Sequence, residues 1–346
     1  MIKKECFTAE WIEQVSSELH YNDKNLIEKV IRALSLLEML VKAGCPLVFK
    51  GGTALMLILG KSAHRLSIDI DLICPPGTNI EDYLKSFADF GFINLELVER
   101  KQRDDADIPK SHSKFFYQIA YRNDTDAQSY ILLDVLYEDI HYFRTQQIAI
   151  NCPFIRLEGK PLMVTVPSAE DILGDKLTAF APNTTGIPYY RNGRSCSMEI
   201  AKQLYDVGRL FENVSDLQIT KEAFRKIAVV ELSYRSFGTD IGQVFNDIRQ
   251  TALCISTRGK AGEGDFDLIQ DGIIRVKSFM YKQRYLIDHA IIDAARAAYL
   301  ATLIEKGINE IESYSNNPAD IKDMVIRPSL PNKLNKLRSN LPEAYY

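Results

Sequence analysis

Two aspartates at i and i+2, preceded by a pair of glycines, are the residues here whose types and spacing could do chemistry. The stretch from Leu47 to Leu72 reads LVFKGGTALMLILGKSAHRLSIDIDL. Leu47, Val48 and Phe49 form a short apolar run that halts at Gly51-Gly52, as a buried strand halts at a tight turn. Two glycines let the backbone approach a bulky anion, because no Cβ stands in the way. Thr53 then opens a predicted helix whose free N–H groups and dipole favour phosphate. Beyond Gly60 the chain runs Ser67-Ile68-Asp69-Ile70-Asp71-Leu72-Ile73. Strand side chains alternate, so Ser67, Asp69 and Asp71 share one face, while Ile68, Ile70 and Leu72 point to a core. Same-face neighbours on a strand lie roughly 6–7 Å apart, close enough for two carboxylates to share divalent cations. Phosphates presented to a metal platform are what nucleotidyl transfer needs.

A third carboxylate stands out downstream. Asp134 lies inside Ile131-Leu132-Leu133-Asp134-Val135-Leu136, where an acid is expensive to bury unless it is paired or metal-bound. Two residues of the C-terminal half, Lys176 and Asp206, carry no such signal by themselves. Lysine in a helix faces solvent by default, and Lys202 four residues before Asp206 reads as an exposed ion pair of little energetic weight.

The elements that must position these residues follow from periodicity. Thr8 caps a predicted helix, AEWIEQVSSEL. A longer helix runs from Asp23 to about Ala43, with Leu26, Ile27, Val30, Ile31, Leu34, Leu37 and Val41 at helical spacing and Gly44 as its stop. Asn79–Phe90 reads as a helix, Ile93–Val98 as a strand, and Glu99–Lys114 as a polar loop able to reach over the site. Phe115–Tyr121 and Tyr130–Tyr137 form a predicted hairpin joined by RNDTDAQS, followed by β-rich runs at Ile148–Ile155 and Leu162–Val166. After Pro167-Ser168 nearly everything reads as helix: Ser168 through Phe180, Ser197–Phe211, Thr220–Leu232, Thr239–Ser256 and about Leu268–Lys306. The Gly/Pro/Asn-rich segment PNTTGIPYYRNGRS at 182–195 reads as a loop. The expected organisation is a sheet-bearing domain over 1–166 and a helical domain over 167–346 that completes the active site.

Composition narrows the class. The chain has 346 residues, 46% apolar and 25% charged, ordinary values for a soluble globular protein. Its net charge of -4 gives no general footprint for nucleic acid, so an RNA partner must meet a local basic patch. Arg191 and Arg194, beside Tyr189 and Tyr190, are the nearest candidates for that patch. The six cysteines form no C-x-x-C pair and no zinc spacing, and read as reduced thiols of a cytoplasmic protein. The N-terminus lacks the apolar core of a signal peptide, and no apolar window is long enough to span a bilayer.

The glycine turn followed by D-x-D resembles the nucleotidyltransferase superfamily that includes polymerase β. The fuller pattern, KGGTAL at Lys50–Leu55 and R-x-S-x-D-I-D-L at Arg65–Leu72, is similar to the AbiEii/AbiGii toxin family. The sixteen residues between Gly52 and Asp69 suit that branch. The resemblance implies an α+β fold, a polymerase-β-like mixed sheet flanked by helices, followed by a helical C-terminal domain. It implies Asp134 as a third metal-binding acid beside Asp69 and Asp71, with Mg²⁺ or Mn²⁺ as cofactor and an NTP as substrate. Gly51, Gly52, Thr53 and Ser67 then contact the nucleotide phosphates. The segment E-D-I-L-G-D-K-L-T-A-F resembles the family's lysine-bearing helix, which places Lys176 on the phosphates; K-Q-L-Y-D-V-G-R-L-F resembles its later aspartate helix, which places Asp206 near the site. The usual second charged residue of that helix is not cleanly present, which leaves the role of Lys202 open. The implied activity is that of a toxin of a toxin–antitoxin or phage-defence system, adding nucleotide to RNA, tRNA foremost, and held by a separately encoded antitoxin. A protein or small-molecule acceptor is the alternative within the same chemistry, and a nucleotide-binding partner protein without turnover is the alternative outside it.

Overall fold

A computed structural model describes residues 1–98, 109–121, 127–214, 216–235, 238, 240–326 and 332–346. The chain forms two units, Met1–Ser168 with Ser278–Arg284, and Ala169–Lys277 with Tyr285–Tyr346.

Two capped helices open the first unit. Helix α1 (Ala9–Leu19) begins where Thr8 accepts from the Trp11 N–H, and α2 (Lys24–Lys42) where Asp23 accepts from Leu26. The expected face of α2 is buried from Leu26 to Leu37, each such aliphatic side chain contributing roughly 1.5–3 kcal/mol. After α2 come β1 (Val48–Lys50), α3 (Gly51–Leu59), β2 (Ile70–Cys74), β3 (Asn94–Val98), β4 (Lys110–Gln118) and β5 (Gln128–Tyr137). The five strands form one mixed sheet in the order β1-β2-β5-β4-β3, in which only the β2/β5 pair is parallel. A two-stranded sheet of β6 (Thr145–Ala149) and β7 (Met163–Pro167) packs beside β1.

Several expectations need correction in this unit. Asn79–Phe90 is not one helix but two 3₁₀ turns, Ile80–Tyr83 and Phe87–Phe90. Its buried anchors are Ile80, Leu84 and Phe90. The predicted loop Glu99–Lys114 is strand from Lys110 onward, while 99–108 lie outside the described residues. Phe115–Tyr121 and Tyr130–Tyr137 pair as the expected hairpin, and 122–126 of its connector lie outside the described residues. The run at Ile148–Ile155 is strand only as far as Ala149, with one further bond from the Ile150 N–H to the Leu162 carbonyl at 2.9 Å.

The second unit is helical. It contains α4 (Ala169–Ala179), a small hairpin of β8 (Tyr190–Arg191) and β9 (Arg194–Ser195), then α5 (Ser197–Phe211), α6 (Leu217–Ser233), α7 (Ile241–Ser256), α8 (Phe266–Val276) and α9 (Ile287–Lys306), with short turns in the tail. Thr239, expected to start α7, lies outside the described residues, and Asp240 caps it. The hairpin lies in the segment read as loop. Asn192 and Gly193 both have positive φ, 52° and 74°, the backbone an Asn-Gly hairpin turn requires. The single helix expected over Leu268–Lys306 is two helices. Between them Ser278–Arg284 belongs to the first unit, where Met280 bridges to Arg65 and the Phe279 carbonyl accepts from Leu66 at 2.8 Å. No proline or glycine announces that break. Among the described residues no helix is long and apolar enough to cross a membrane.

Candidate active site

The site is built on β1, β2 and β5 and on the turn that joins β1 to α3. Helix α3 begins at Gly51, two residues earlier than expected, with no side-chain cap at Lys50. Gly51 has φ +77°, a backbone that favours glycine. A Cβ added there would stand 2.1 Å from Asp71 Oδ2, so the Asp71 carboxylate occupies the space a side chain would take. A Cβ on Gly52 would meet Ser67 Oγ at 2.7 Å and an Arg65 guanidinium nitrogen at 2.9 Å. The two glycines thus admit the three polar residues of the R-x-S-x-D-x-D pattern that face the turn.

The Thr53 side chain serves the backbone beside the site. It is fully buried, and its hydroxyl donates to the Asp69 carbonyl at 2.7 Å. Its side chain therefore fixes the backbone of Asp69. Asp69 is exposed just before β2, whereas Asp71 lies within the strand and is half-buried. Ile70 and Leu72 are buried and Ile68 packs partly against the same core, as the alternation predicts. Arg65, 7% exposed, donates to the Leu66 carbonyl at 3.0 Å. The strip Ser278–Arg284 holds the same residues from outside, with the Tyr281 N–H on the His64 carbonyl at 2.9 Å.

Register carries the site across the sheet. Lys50 pairs with Asp71, Asp71 with Asp134, and Asp134 with His112 on β4. Residues directly opposite one another in a sheet share a face, so these four form one row, with roughly 4.5–5.5 Å between neighbouring Cα atoms. His112 was not singled out by the sequence; its only signal is a histidine inside a strand whose start the sequence hides among polar residues. Its Nδ1 is hydrogen-bonded to Asp134 Oδ1. Lys29 on α2 was also missed. Burial pulls its ammonium below the ordinary lysine range, while the charges of Asp69 and Asp23 pull it back up.

By kind, the donors fit a hard divalent cation, since Asp71 and Asp134 offer carboxylate oxygens from registered positions on one face. Asp71 leans to Gly51 and Asp134 to His112, and among the described residues no three His, Cys, Asp or Glu side chains converge on one point.

Lys176 and Asp206 belong to the second unit, on α4 and α5. Both are buried, at 7% and 1% exposure, and their side chains pair at 3.2 Å. Lys176 also donates to Gln203 Oε1 at 3.0 Å. The expectation of a solvent-facing lysine and an exposed Asp206 pair is therefore corrected. Packing of α4 against α5 brings the two charges together, and neither helix alone encodes that meeting.

A further buried acid was not foreseen. Asp293 accepts from Tyr285 at 3.0 Å and lies 3.4 Å from both Arg209 and Arg296. Burial pushes its carboxyl up, the two guanidiniums pull it back, and it titrates at about 6. Gly208 makes room for it, since a Cβ there would sit 1.9 Å from Asp293 Oδ1.

Comparison with known proteins brings in three findings. Two solved structures are similar to the chain. One is JHP933 from Helicobacter pylori, with a TM-score of 0.43 and 17% identity, covering 81% of this chain and 94% of that one. The other is MenT4, a nucleotidyltransferase toxin from Mycobacterium tuberculosis H37Rv, with a TM-score of 0.44 and 12% identity, covering 84% and 89%. No curated protein matches the chain. The family model described as "Nucleotidyl transferase AbiEii toxin, Type IV TA system" matches residues 34–316, which include the glycine turn, both aspartates of D-x-D, Asp134, Lys176 and Asp206. The chain belongs to the AbiEii family of nucleotidyltransferase toxins of type IV toxin–antitoxin systems, with an NTP as substrate and an antitoxin as partner.

Proposed function

We propose that this nucleotidyltransferase toxin moves a nucleoside monophosphate from an NTP to an RNA acceptor, tRNA foremost, in the cytoplasm and as part of phage defence. The observation that carries the reading is the row Lys50–Asp71–Asp134, set beside a glycine turn that has no side chain of its own. Mg²⁺ or Mn²⁺, when bound, would supply charge neutralisation at the phosphates and Lewis-acid activation of the acceptor hydroxyl.

Asp71 and Asp134 would hold that ion, with Asp69 as the exposed carboxylate at the strand entry. Gly51 and Gly52 offer backbone N–H groups at the uncapped start of α3, and Ser67 its hydroxyl, to phosphate oxygens. Thr53 keeps Asp69 in place through its backbone. Lys176, oriented by Asp206 and Gln203, is the cation assigned to the phosphates as pyrophosphate leaves. For the acceptor, the β8–β9 hairpin exposes Tyr190, Arg191 and Arg194, a stacking ring beside two phosphate-binding groups. Tyr189 is withdrawn from that role, because its hydroxyl is buried and burial raises its pKa to about 12.

The test is transfer of label from each α-labelled NTP into total RNA, protein and small metabolites, with Asp71→Asn as the control. Label in tRNA that is absent with the variant supports the proposal. Label confined to protein or to small molecules replaces the acceptor, and equal labelling by the variant removes Asp71 from the chemistry.

A further inference from the structure

We infer that His112 is a positioning residue for the Asp134 carboxylate, holding one oxygen so that the other is presented to the divalent cation. The inference rests on the reading of Asp134 as a metal-binding acid.

Strands β4 and β5 run antiparallel with His112 directly opposite Asp134, so the two side chains emerge on the same face of the sheet. The register around them is held by long pairing from Lys110 to Gln118 and by the Ser111–Tyr137 hydroxyl contact at 2.8 Å. His112 is 7% exposed, and its Nδ1 meets Asp134 Oδ1. Its Nε2 is fully buried and has no hydrogen-bond partner. The Asp134 side chain keeps 32% of its surface exposed.

These facts eliminate two other roles for the histidine. A metal ligand needs a free ring nitrogen facing the ion; here Nδ1 is engaged by the carboxylate and Nε2 points into protein. A general base needs a ring nitrogen within reach of the acceptor hydroxyl, and the buried Nε2 has no such path. What remains is orientation. A carboxylate on a strand can rotate about two torsions, and a donor locked in the neighbouring strand removes that freedom at one oxygen. Partners of this kind are worth about 10–100-fold in metal affinity when removed.

The test compares His112→Phe, which keeps a ring and removes the donor, with His112→Asn, whose amide can donate from near the Nδ1 position, and with Asp134→Asn. Mn²⁺ binding to NTP-free protein is followed by the loss of the free-ion electron paramagnetic resonance signal. Nucleotide transfer is measured against metal concentration in parallel. The expected result for His112→Phe is a Mn²⁺ dissociation constant raised about 10–100-fold, a matching rise in the metal needed for half-maximal transfer, and kcat at saturating metal within about threefold of the parent. His112→Asn should recover most of the affinity. Should His112→Phe fail to fold, His112→Ala makes the same comparison. Unchanged Mn²⁺ affinity in the histidine variants, together with loss in Asp134→Asn, would overturn the inference while sparing Asp134. Unchanged affinity in Asp134→Asn would instead overturn the assignment of Asp134 on which it stands.

Discussion

Replacing Gly51 by alanine separates backbone strain from the displacement of Asp71. Gly51 and Gly44 have nearly the same φ, +77° and +75°, but an added Cβ meets Asp71 Oδ2 at 2.1 Å in the first case and nothing within 4 Å in the second. A left-handed alanine costs about 1–2 kcal/mol at either site. At Gly51 the carboxylate must also retreat by more than about 1 Å to reach an ordinary contact distance, adding about 0.5–1.5 kcal/mol of rotamer strain. Gly44→Ala should therefore lose about 1–2 kcal/mol and Gly51→Ala about 1.5–3.5 kcal/mol. Activity should diverge far more. A reacting group misplaced by about 1 Å costs on the order of 10²-fold in turnover, whereas Gly44→Ala leaves the site untouched. Trp11, the single tryptophan, is buried in the first unit with its indole N–H on the Phe154 carbonyl at 2.9 Å. Its fluorescence in urea reports unfolding at that unit, and pyrophosphate release reports turnover. Near-parental turnover in Gly51→Ala, or equal turnover loss in both variants, would refute the role given to the Gly51–Asp71 contact.

Three more outcomes are expected. Lys176→Ala removes one half of the buried Lys176–Asp206 pair and should cost about 3–5 kcal/mol, while Lys176→Met with Asp206→Asn restores most of the thermal stability and none of the nucleotide transfer. A double variant that regains activity would make the pair structural only. Asp293 has a folded pKa raised from 3.8 to about 6, so the folded state holds a proton that the unfolded chain releases between those values. Its contribution is favourable below about pH 4 and falls by about 3 kcal/mol as pH rises through 6; urea melts by circular dichroism from pH 4 to 7 should show that slope, and Asp293→Asn should flatten it. Arg191→Ala with Arg194→Ala should weaken RNA binding, lower the salt slope by about 1.4, and leave NTP binding intact; unchanged RNA affinity at low and moderate salt would place the acceptor elsewhere.

What could be read in advance was the part of the chain where chemistry and periodicity coincide. Thr8 and Asp23 cap α1 and α2 as their types demand, and the alternation in Ile68–Leu72 separates a core face from a polar one. Gly51 and Gly52 were legible as a close approach, though what approaches in the structure is Asp71, Ser67 and Arg65 of the same chain. The strand start at Lys110 was not legible, because Lys110, Ser111 and Ser113 have weak strand propensity and are held by pairing with β5, Ser113 with β3 as well. That is why His112 escaped notice.

The remaining misses share one physical cause, which is that the support of a site is non-local while its chemistry is local. Thr53 looks like a phosphate-facing helix start until β2 is placed beside α3, and then its hydroxyl is taken by Asp69. Lys176 looks solvent-facing until α5 supplies Gln203 and Asp206, and burial of the pair turns a surface lysine into one whose removal breaks a buried ion pair. The strip Ser278–Arg284 is the extreme case, since it lies more than two hundred residues from His64–Leu66 and yet supplies their backbone partners. Its apolar residues Phe279, Met280 and Tyr281 continue the pattern of α8 and so read as helix. Only the hydrogen-bonding needs of the segment leading into D-x-D reveal why the helix must stop there.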